Sequence, residues 1–306
     1  MLPSGMAETP SPAQDTDLAA LFVRPFRLLR PEGQTVPFIF ASPHSGRRYP
    51  QSLAAASHLD PVMLRRSEDA FVDELFGEVT NLGAPLLAAE FPRAFLDVNR
   101  GIGEIDATMF AAPLELPVDL PSARVAAGLG VIPRIVRDGA DIYRGKMAPE
   151  EAKARLEKLY RPYHQALAAL VAETKDRFGV AVVVDCHSMP STLGAPQIVL
   201  GDRYGASAAP ALSRLAENAF LREGLSVARN TPYAGGHTTM LHGRVPEGIH
   251  ALQIEINRGL YLEEEKIAKK PNFEALKLKL TAALTRIVKI DIAMLRAAPN
   301  LSAAAE

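Results

Sequence analysis

Residues Gly179–Met189 read GVAVVVDCHSM and indicate the fold more strongly than any other part of the chain. The four apolar residues Ala181–Val184 are followed at once by Asp185, Cys186 and His187. A continuous apolar run of this length is typical of a strand buried on both faces, as in a parallel sheet. Open α/β sheets bind their ligands at the carboxyl ends of such strands. Asp185 and His187 are therefore the first candidate site residues.

Two other apolar runs end in polar residues in the same way. Phe38–Ala41 leads into Ser42, Pro43 and His44, and Leu252–Ile254 leads into Glu255. A buried carboxylate or imidazole costs free energy unless it is paired. We therefore expect His44, His187 and Glu255 to come together at one edge of the predicted sheet.

The rest of the chain alternates helical and strand-like periodicity. The patterns predict helices over 70–81, 150–178 and 272–295, and strands over 85–89 and 94–98. Alternation of this kind favours an α/β fold, a mixed and mainly parallel central sheet with helices on both faces. The Ala-, Pro- and Ser-rich segment 1–17 is predicted to be a disordered leader, and 18–306 a single catalytic domain.

Composition excludes several classes of partner. The 306 residues carry a formal net charge of -1, which gives no electrostatic reason to expect nucleic acid or an anionic membrane surface. No apolar run approaches the roughly 20 residues needed to span a bilayer. The single cysteine, Cys186, forms no disulfide within the chain and fits a reducing, cytoplasmic location. The sequence does not indicate an oligomeric state.

A catalytic zinc site needs three protein ligands, usually imidazole and carboxylate. His44 and His187 are the natural imidazoles, and the carboxylate could be Glu68, Asp69 or Asp73 in the segment that follows His44. Neither HExxH nor CxxC is present, so the ligands would come from separate elements. On a strand, Asp185 points the same way as His187, so it could orient His187 or ligate the metal itself.

Glu255 and three arginines complete the candidate set. A lone carboxylate in an apolar strand can act as a general base, although an ion pair with Arg258 would explain it equally well. Arg100 follows the predicted strand 94–98, where a guanidinium suits binding of a substrate carboxylate. Arg93 and Arg137 are further candidates for that role.

Five short motifs together resemble the N-formylglutamate amidohydrolase family, over about 36–262. In chain order they are Ser42-Pro43-His44-Ser45-Gly46, Asp97-Val98-Asn99-Arg100, Asp185-Cys186-His187-Ser188, Gly235-Gly236-His237 and Gln253-Ile254-Glu255. The family is similar in fold to the zinc carboxypeptidases and aspartoacylases. Two positions depart from these patterns. Arg47 stands where the carboxypeptidases have a ligating glutamate, and Gly101–Ile105 differs from the usual continuation.

The resemblance implies a role for each motif. His44, His187 and Asp69, chosen over Glu68 and Asp73, would hold one zinc ion per chain, and Glu255 would be the general base. The substrate would be bound or polarised by the remaining motif residues, Asn99, Arg100, Gly236 and His237, with Arg93 and Arg137 as further arginines. Asp185 would accept a hydrogen bond from the ring nitrogen of His187 that does not bind the metal.

The resemblance also implies a reaction. The enzyme would hydrolyse a small acidic N-acyl amino acid, above all N-formyl-L-glutamate to formate and L-glutamate, a step of histidine degradation. Zinc would acidify a water molecule, Glu255 would take its proton, and zinc with Arg100 or His237 would stabilise the oxyanion. The alternatives are the same chemistry on another N-acyl amino acid or a peptide C-terminus, and a non-catalytic ligand-binding relative.

Overall fold

A computed structural model describes residues 15–116, 118–119, 122–136, 139–191 and 194–296. These residues divide into two compact units. The first contains the described residues of Met1–Phe26, Gly46–Glu68 and Ala89–Tyr163, and the second those of Arg27–Ser45, Asp69–Ala88 and His164–Glu306. The single domain over 18–306 stays a prediction.

Strands and helices alternate along the described residues. The strands are β1 Phe26–Leu29, β2 Phe38–Ser42, β3 Leu86–Ala89, β4 Ala181–Met189, β5 Ile198–Gly201, β6 Val227–Arg229, β7 Ile249–Asn257, β8 Leu262–Glu263 and β9 Ala268–Lys269. The helices are α1 Thr16–Val23, α2 Gln51–Ala56, α3 Pro61–Arg65, α4 Val72–Leu75, α5 Ala123–Ala126, α6 Pro149–Arg155, α7 Arg161–Phe178, α8 Pro210–Arg222, α9 His237–His242 and α10 Phe273–Ile287. None of these helices is both long and apolar enough to cross a membrane.

The sheet of seven strands has the order β1-β3-β2-β4-β7-β5-β6. The pairs β2/β3, β2/β4 and β4/β7 are parallel, and β5 is antiparallel to β7. Strand β4 lies at the centre of this order and is buried along its whole length, as its apolar run predicts. The register sets Asp185 beside Gln253 and His187 beside Glu255.

Helices cover both faces of the sheet. On one face, alternate apolar side chains of β2, β4 and β7 pack with α4, α8 and α10 into the main core of the second unit. On the other face, α9 packs against β4 and β7. Helix α7 borders a cavity of about 380 Å³, which α9 and Ile249 also line. The prediction of a mainly parallel mixed sheet between helices is confirmed.

The first unit contains short helices and loops around a buried guanidinium. Arg155, at the end of α6, stacks on the ring of Phe95 at 3.7 Å from its centroid. It also donates to the Phe95 carbonyl oxygen at 2.9 Å and to the Tyr143 hydroxyl at 2.8 Å. Its Nη2 donates to the Glu151 carboxylate, which compensates a charge that would otherwise be costly to bury.

The last three residues of the predicted leader, 15–17, belong to ordered structure. Helix α1 begins at Thr16, because the Asp15 side chain caps it by accepting from the Leu18 amide at 3.0 Å. Asp15 also accepts from the Ser52 amide at 2.7 Å, which ties the helix start to α2. Residues 1–14 lie outside the described part of the chain.

Three predicted elements differ in the structure. The helix predicted over 272–295 ends at Ile287, and a separate 3-10 turn follows at Ile292–Leu295. No strand forms over 94–98: the amides of Phe95 and Leu96 both donate to the Pro92 carbonyl, so this buried segment is a series of turns. The helix predicted over 70–81 is only the short α4, followed by a 3-10 turn at Gly77–Thr80. Phe71, with φ 63°, interrupts its start. A left-handed residue cannot continue a right-handed helix.

Candidate active site

Three parallel strands place candidate site residues at the same edge of the sheet. His44 follows the end of β2, His187 lies near the end of β4, and Glu255 lies near the end of β7. The side chains of His187 and Glu255 are neighbours, because the two residues pair across β4 and β7. The sequence predicted this meeting, since parallel strands end at the same edge.

His44, Asp69 and His187 form a buried cluster whose ligand atoms all lie within 4.8 Å of one another. Asp69 Oδ2 is 3.3 Å from His44 Nδ1 and 2.9 Å from His187 Nδ1. The Asp69 amide donates to the His44 carbonyl at 3.0 Å, which fixes the two residues relative to each other. Two imidazole nitrogens and a carboxylate oxygen are a donor set suited to a zinc ion.

Asp185 supports His187 from the side away from Asp69. Its Oδ2 atom lies 2.9 Å from His187 Nε2, so a proton on Nε2 leaves Nδ1 facing Asp69 and His44. Burial opposes protonation of this ring, but the Asp185 carboxylate, together with Asp69 and Glu255, holds the pKa of His187 well above its usual range. A carboxylate behind a ligating histidine fixes its ring and its tautomer.

Arg258 holds the other oxygen of Asp69. Its Nη2 donates to Asp69 Oδ1 at 2.8 Å, and its Nε donates to Ser188 Oγ at 3.1 Å. Burial alone would raise the pKa of Asp69, but bonds from His187 and His44 and the Arg258 charge hold it well below its usual range. Sequence reasoning considered Arg258 only as a partner for Glu255. Its position directly after β7, the strand that pairs with the strand of His187, was the available signal.

The two other candidate carboxylates make ion pairs of their own. In the first unit, Glu68 accepts from the Tyr49 hydroxyl at 2.7 Å and from Arg65 Nε at 2.9 Å. In the second unit, Asp73 accepts from Arg27 Nη2 at 2.5 Å. These contacts account for both side chains without a metal.

Glu255 is held by an amide on its own strand. Gln253 Nε2 donates to Glu255 Oε1 at 2.8 Å, and Gln253 Oε1 accepts from the Gly236 amide at 2.8 Å. Both side chains are buried, with exposures of 4% and 7%. Gly236 precedes α9, whose first residue, His237, meets the ring of His164 edge to face at 5.7 Å between centroids.

In the first unit, two of the candidate arginines, Arg93 and Arg100, lie near the Asp97 carboxylate. Arg93 Nε lies 3.0 Å from Asp97 Oδ2, and the Asn99 amide donates to Asp97 Oδ1 at 2.8 Å. Arg100 donates from Nε to the Leu129 carbonyl at 2.9 Å and from Nη1 to the Asn99 carbonyl at 2.8 Å. Arg137, the remaining candidate, lies outside the described residues.

Arg124 joins this group without any signal in the sequence. Asp97 favours the charged form of Arg100, but burial and the charges of Arg93 and Arg124 together lower the pKa of Arg100. Arg93 and Arg124 are therefore both close enough to Arg100 for their charges to act on it. Such a group is chemically suited to an anionic ligand.

His242, the last residue of α9, is a neutral buried imidazole. Its exposure is 4%, and its Nε2 has no hydrogen-bond partner among the described residues. Burial, followed by the positive charge of Arg244, lowers the pKa of His242 from 6.5 to about 4. His250, by contrast, is fully bonded, since it accepts from the Ala209 amide and contacts the Leu295 carbonyl.

We expect acid to destabilise the protein through His242. Between its unfolded pKa of 6.5 and its folded pKa of about 4, the unfolded chain binds more protons, so the free energy of unfolding falls as the pH is lowered. At about 1.4 kcal/mol per pH unit, the loss approaches 3 kcal/mol. Urea unfolding of the metal-free protein from pH 7 to 4 measures it, and His242→Leu should remove this part of the dependence. Parallel pH curves for the two proteins would exclude His242 as the source.

A search of protein families places the chain. The model of the N-formylglutamate amidohydrolase family matches residues 36–262. The chain belongs to that family. Its members hydrolyse linear amide bonds, so the protein is a hydrolase, and the family predicted from the motifs is confirmed.

Individual members of the family agree with this result. N-formylglutamate deformylase of Pseudomonas aeruginosa is 30% identical over 239 residues, covering 75% of this chain and 84% of the relative. The Pseudomonas putida enzyme of the same name is 29% identical over 238 residues, covering 75% and 83%. The crystal structure of N-formylglutamate amidohydrolase from Ralstonia eutropha JMP134 matches with a TM-score of 0.82 and 37% identity. The match covers 87% of this chain and 97% of that one.

Proposed function

We propose that the protein is a zinc-dependent amidohydrolase that cleaves N-formyl-L-glutamate to formate and L-glutamate. The observation that carries the proposal is the buried cluster of His44, Asp69 and His187, with Glu255 beside it on the next strand. The names of the relatives in the family support the substrate.

The metal would be held by His44 Nδ1, Asp69 Oδ2 and His187 Nδ1, the atoms that face one another in the cluster. When bound, zinc supplies the Lewis acidity that activates water at neutral pH and polarises a carbonyl group. Asp185 keeps the His187 ring in the ligating orientation, and Arg258 compensates the charge of Asp69.

Glu255 carries the proton in this proposal. Its carboxylate accepts a proton from the attacking water as the new C–O bond forms at the formyl carbon. It then delivers that proton to the nitrogen of the departing glutamate as the C–N bond breaks. A single carboxylate serves both steps because the first leaves it protonated for the second.

Substrate binding is assigned to polar residues of the motifs that resemble the family, together with Arg93 and Arg137. Formylglutamate carries two carboxylates, which suit guanidinium donors, and Asn99, Arg100, Arg93 and Arg137 are proposed for them. His237 and Gly236 are proposed to contact the substrate from the loop before α9. Arg100 donates to two carbonyl oxygens, and its Nη2 lies 3.8 Å from Asp97 Oδ2. The N–H donors that remain are assigned to the substrate.

The test is to measure kcat/KM of the purified protein, supplied with zinc, for several substrates. We expect kcat/KM for N-formyl-L-glutamate to exceed that for N-formyl-L-aspartate, one methylene shorter, by about 10-fold or more. N-acetyl-L-glutamate, N-acetyl-L-aspartate and a peptide with a free C-terminus complete the panel. A higher kcat/KM for any of these compounds would identify it as the preferred substrate in place of formylglutamate. Tight binding of a compound with no hydrolysis of any would show a binding protein and not an enzyme.

A further inference from the structure

Gln253 lies on the same face of β7 as Glu255, two residues before it. It is buried and pairs in register with Asp185 on β4. Its amide group bridges two partners, donating from Nε2 to Glu255 Oε1 at 2.8 Å and accepting at Oε1 from the Gly236 amide at 2.8 Å.

The chemistry of the partners fixes the orientation of the amide. A backbone N–H can only donate, so the group that faces Gly236 must be the carbonyl oxygen of Gln253. The NH₂ group must then face Glu255, whose ionised carboxylate can only accept. A flipped amide would oppose donor to donor and acceptor to acceptor.

The Gly236 end of this bridge is itself held in place. The carbonyl of Ala234 accepts from the Arg203 amide at 2.7 Å, and the Gly236 carbonyl accepts from Thr239 Oγ1 at 2.8 Å. Gly201, next to Gln253 across β5 and β7, leaves room for this loop, since a Cβ there would lie 2.8 Å from Ala234. The bridge therefore joins Glu255 to an anchored segment of backbone.

We infer that Gln253 is a positioning residue for the catalytic carboxylate, an inference that rests on the proposed role of Glu255. Its NH₂ group holds Oε1 of Glu255, which fixes the plane of the carboxylate. Its carbonyl oxygen joins the same carboxylate to the loop that carries His237. The orientation of the base and the order of the loop are thus coupled through one side chain.

Two substitutions separate these two bonds. Gln253→Leu removes both, whereas Gln253→Glu keeps an oxygen for Gly236 and sets a second carboxylate against Glu255. We expect kcat for formylglutamate to fall about 10- to 100-fold in both variants, with KM changed less than about threefold. Hydrogen exchange of the 231–236 segment should accelerate in Gln253→Leu only. Gln197→Leu is the matched control, because that amide also accepts from a backbone N–H, of Ser226, and should keep the wild-type kcat.

The outcomes distinguish this inference from the proposed function. If Glu255→Gln is inactive while Gln253→Leu keeps full kcat, the positioning role is wrong and the base stands. If Gln253→Glu keeps full kcat, the bond to Glu255 has no part in catalysis. If Glu255→Gln itself keeps full activity, the proposed function has failed at its base, whatever Gln253 does. Metal content, measured in every variant, excludes loss of the metal as the cause.

Discussion

We expect the replacement of Glu255 by glutamine to lower kcat for formylglutamate hydrolysis by about 10²- to 10⁴-fold, the usual contribution of a general acid–base group. Glutamine has nearly the same shape, and its carbonyl oxygen can still accept from Gln253, so the strand and the bridge to Gly236 stay intact. What is lost is the ability to take a proton from water and give it to the leaving nitrogen. Formate release under substrate saturation measures the effect.

The control for this variant is Glu263→Gln on β8. That carboxylate forms an exposed ion pair with Lys266 at 3.1 Å, a type of pair worth little to stability. It should keep wild-type kcat, and both variants should keep the metal content of the parent. A Glu255→Gln protein with more than about a tenth of the parent kcat would contradict the assignment of the base.

The sequence predicted the elements on which the site depends. A strand buried in a parallel sheet is rich in apolar residues on both faces, so β2, β4 and β7 could be recognised one by one, although Gln253 and Glu255 interrupt the apolar run of β7. Their polar ends then meet because parallel strands share an edge, which is why His187 and Glu255 lie side by side. Fold class and the core of the site therefore follow from local patterns and one topological rule.

The choice of Asp69 could not be made from the pattern alone. The periodicity predicted one regular helix over 70–81 with Glu68 and Asp69 at its start, and neighbouring acids on such a helix differ only by rotation around the axis. The left-handed Phe71 and the bond from the Asp69 amide to His44 break that regularity. Glu68, Asp69 and Asp73 then meet different partners, and only the family resemblance selected Asp69.

The supporting residues were missed for a different reason. Gln253 is two residues from Glu255, so strand alternation already placed both on one face. A neutral amide carries no charge to signal a function, and its bridge to Gly236 depends on a long-range contact. Arg258 was predicted as a possible ion-pair partner of Glu255. Its pairing with Asp69 instead depends on the turn that follows β7.

We expect the purified protein to bind about one zinc ion per chain and His187→Ala to lose it. In the metal-free state the cluster has two carboxylates, Asp69 and Asp185, on either side of one imidazole. Removing that imidazole takes away a ligand and leaves the two acids without the group between them. Metal analysis after dialysis measures the loss, and His58→Ala, which alters an exposed histidine, should keep the metal.

Stability gives a readout of this site that does not depend on turnover. A ligand that binds only the folded state adds about 2.7 kcal/mol to the free energy of unfolding at 100 times its Kd. Zinc at that concentration should stabilise the parent and His58→Ala by this amount and leave His187→Ala unchanged. Asp185→Asn keeps all three ligands but weakens the acceptor behind His187, so its zinc affinity should fall about 10- to 100-fold. Full zinc stabilisation of His187→Ala would place the metal elsewhere, and unchanged affinity in Asp185→Asn would remove Asp185 as the group that orients the ligand.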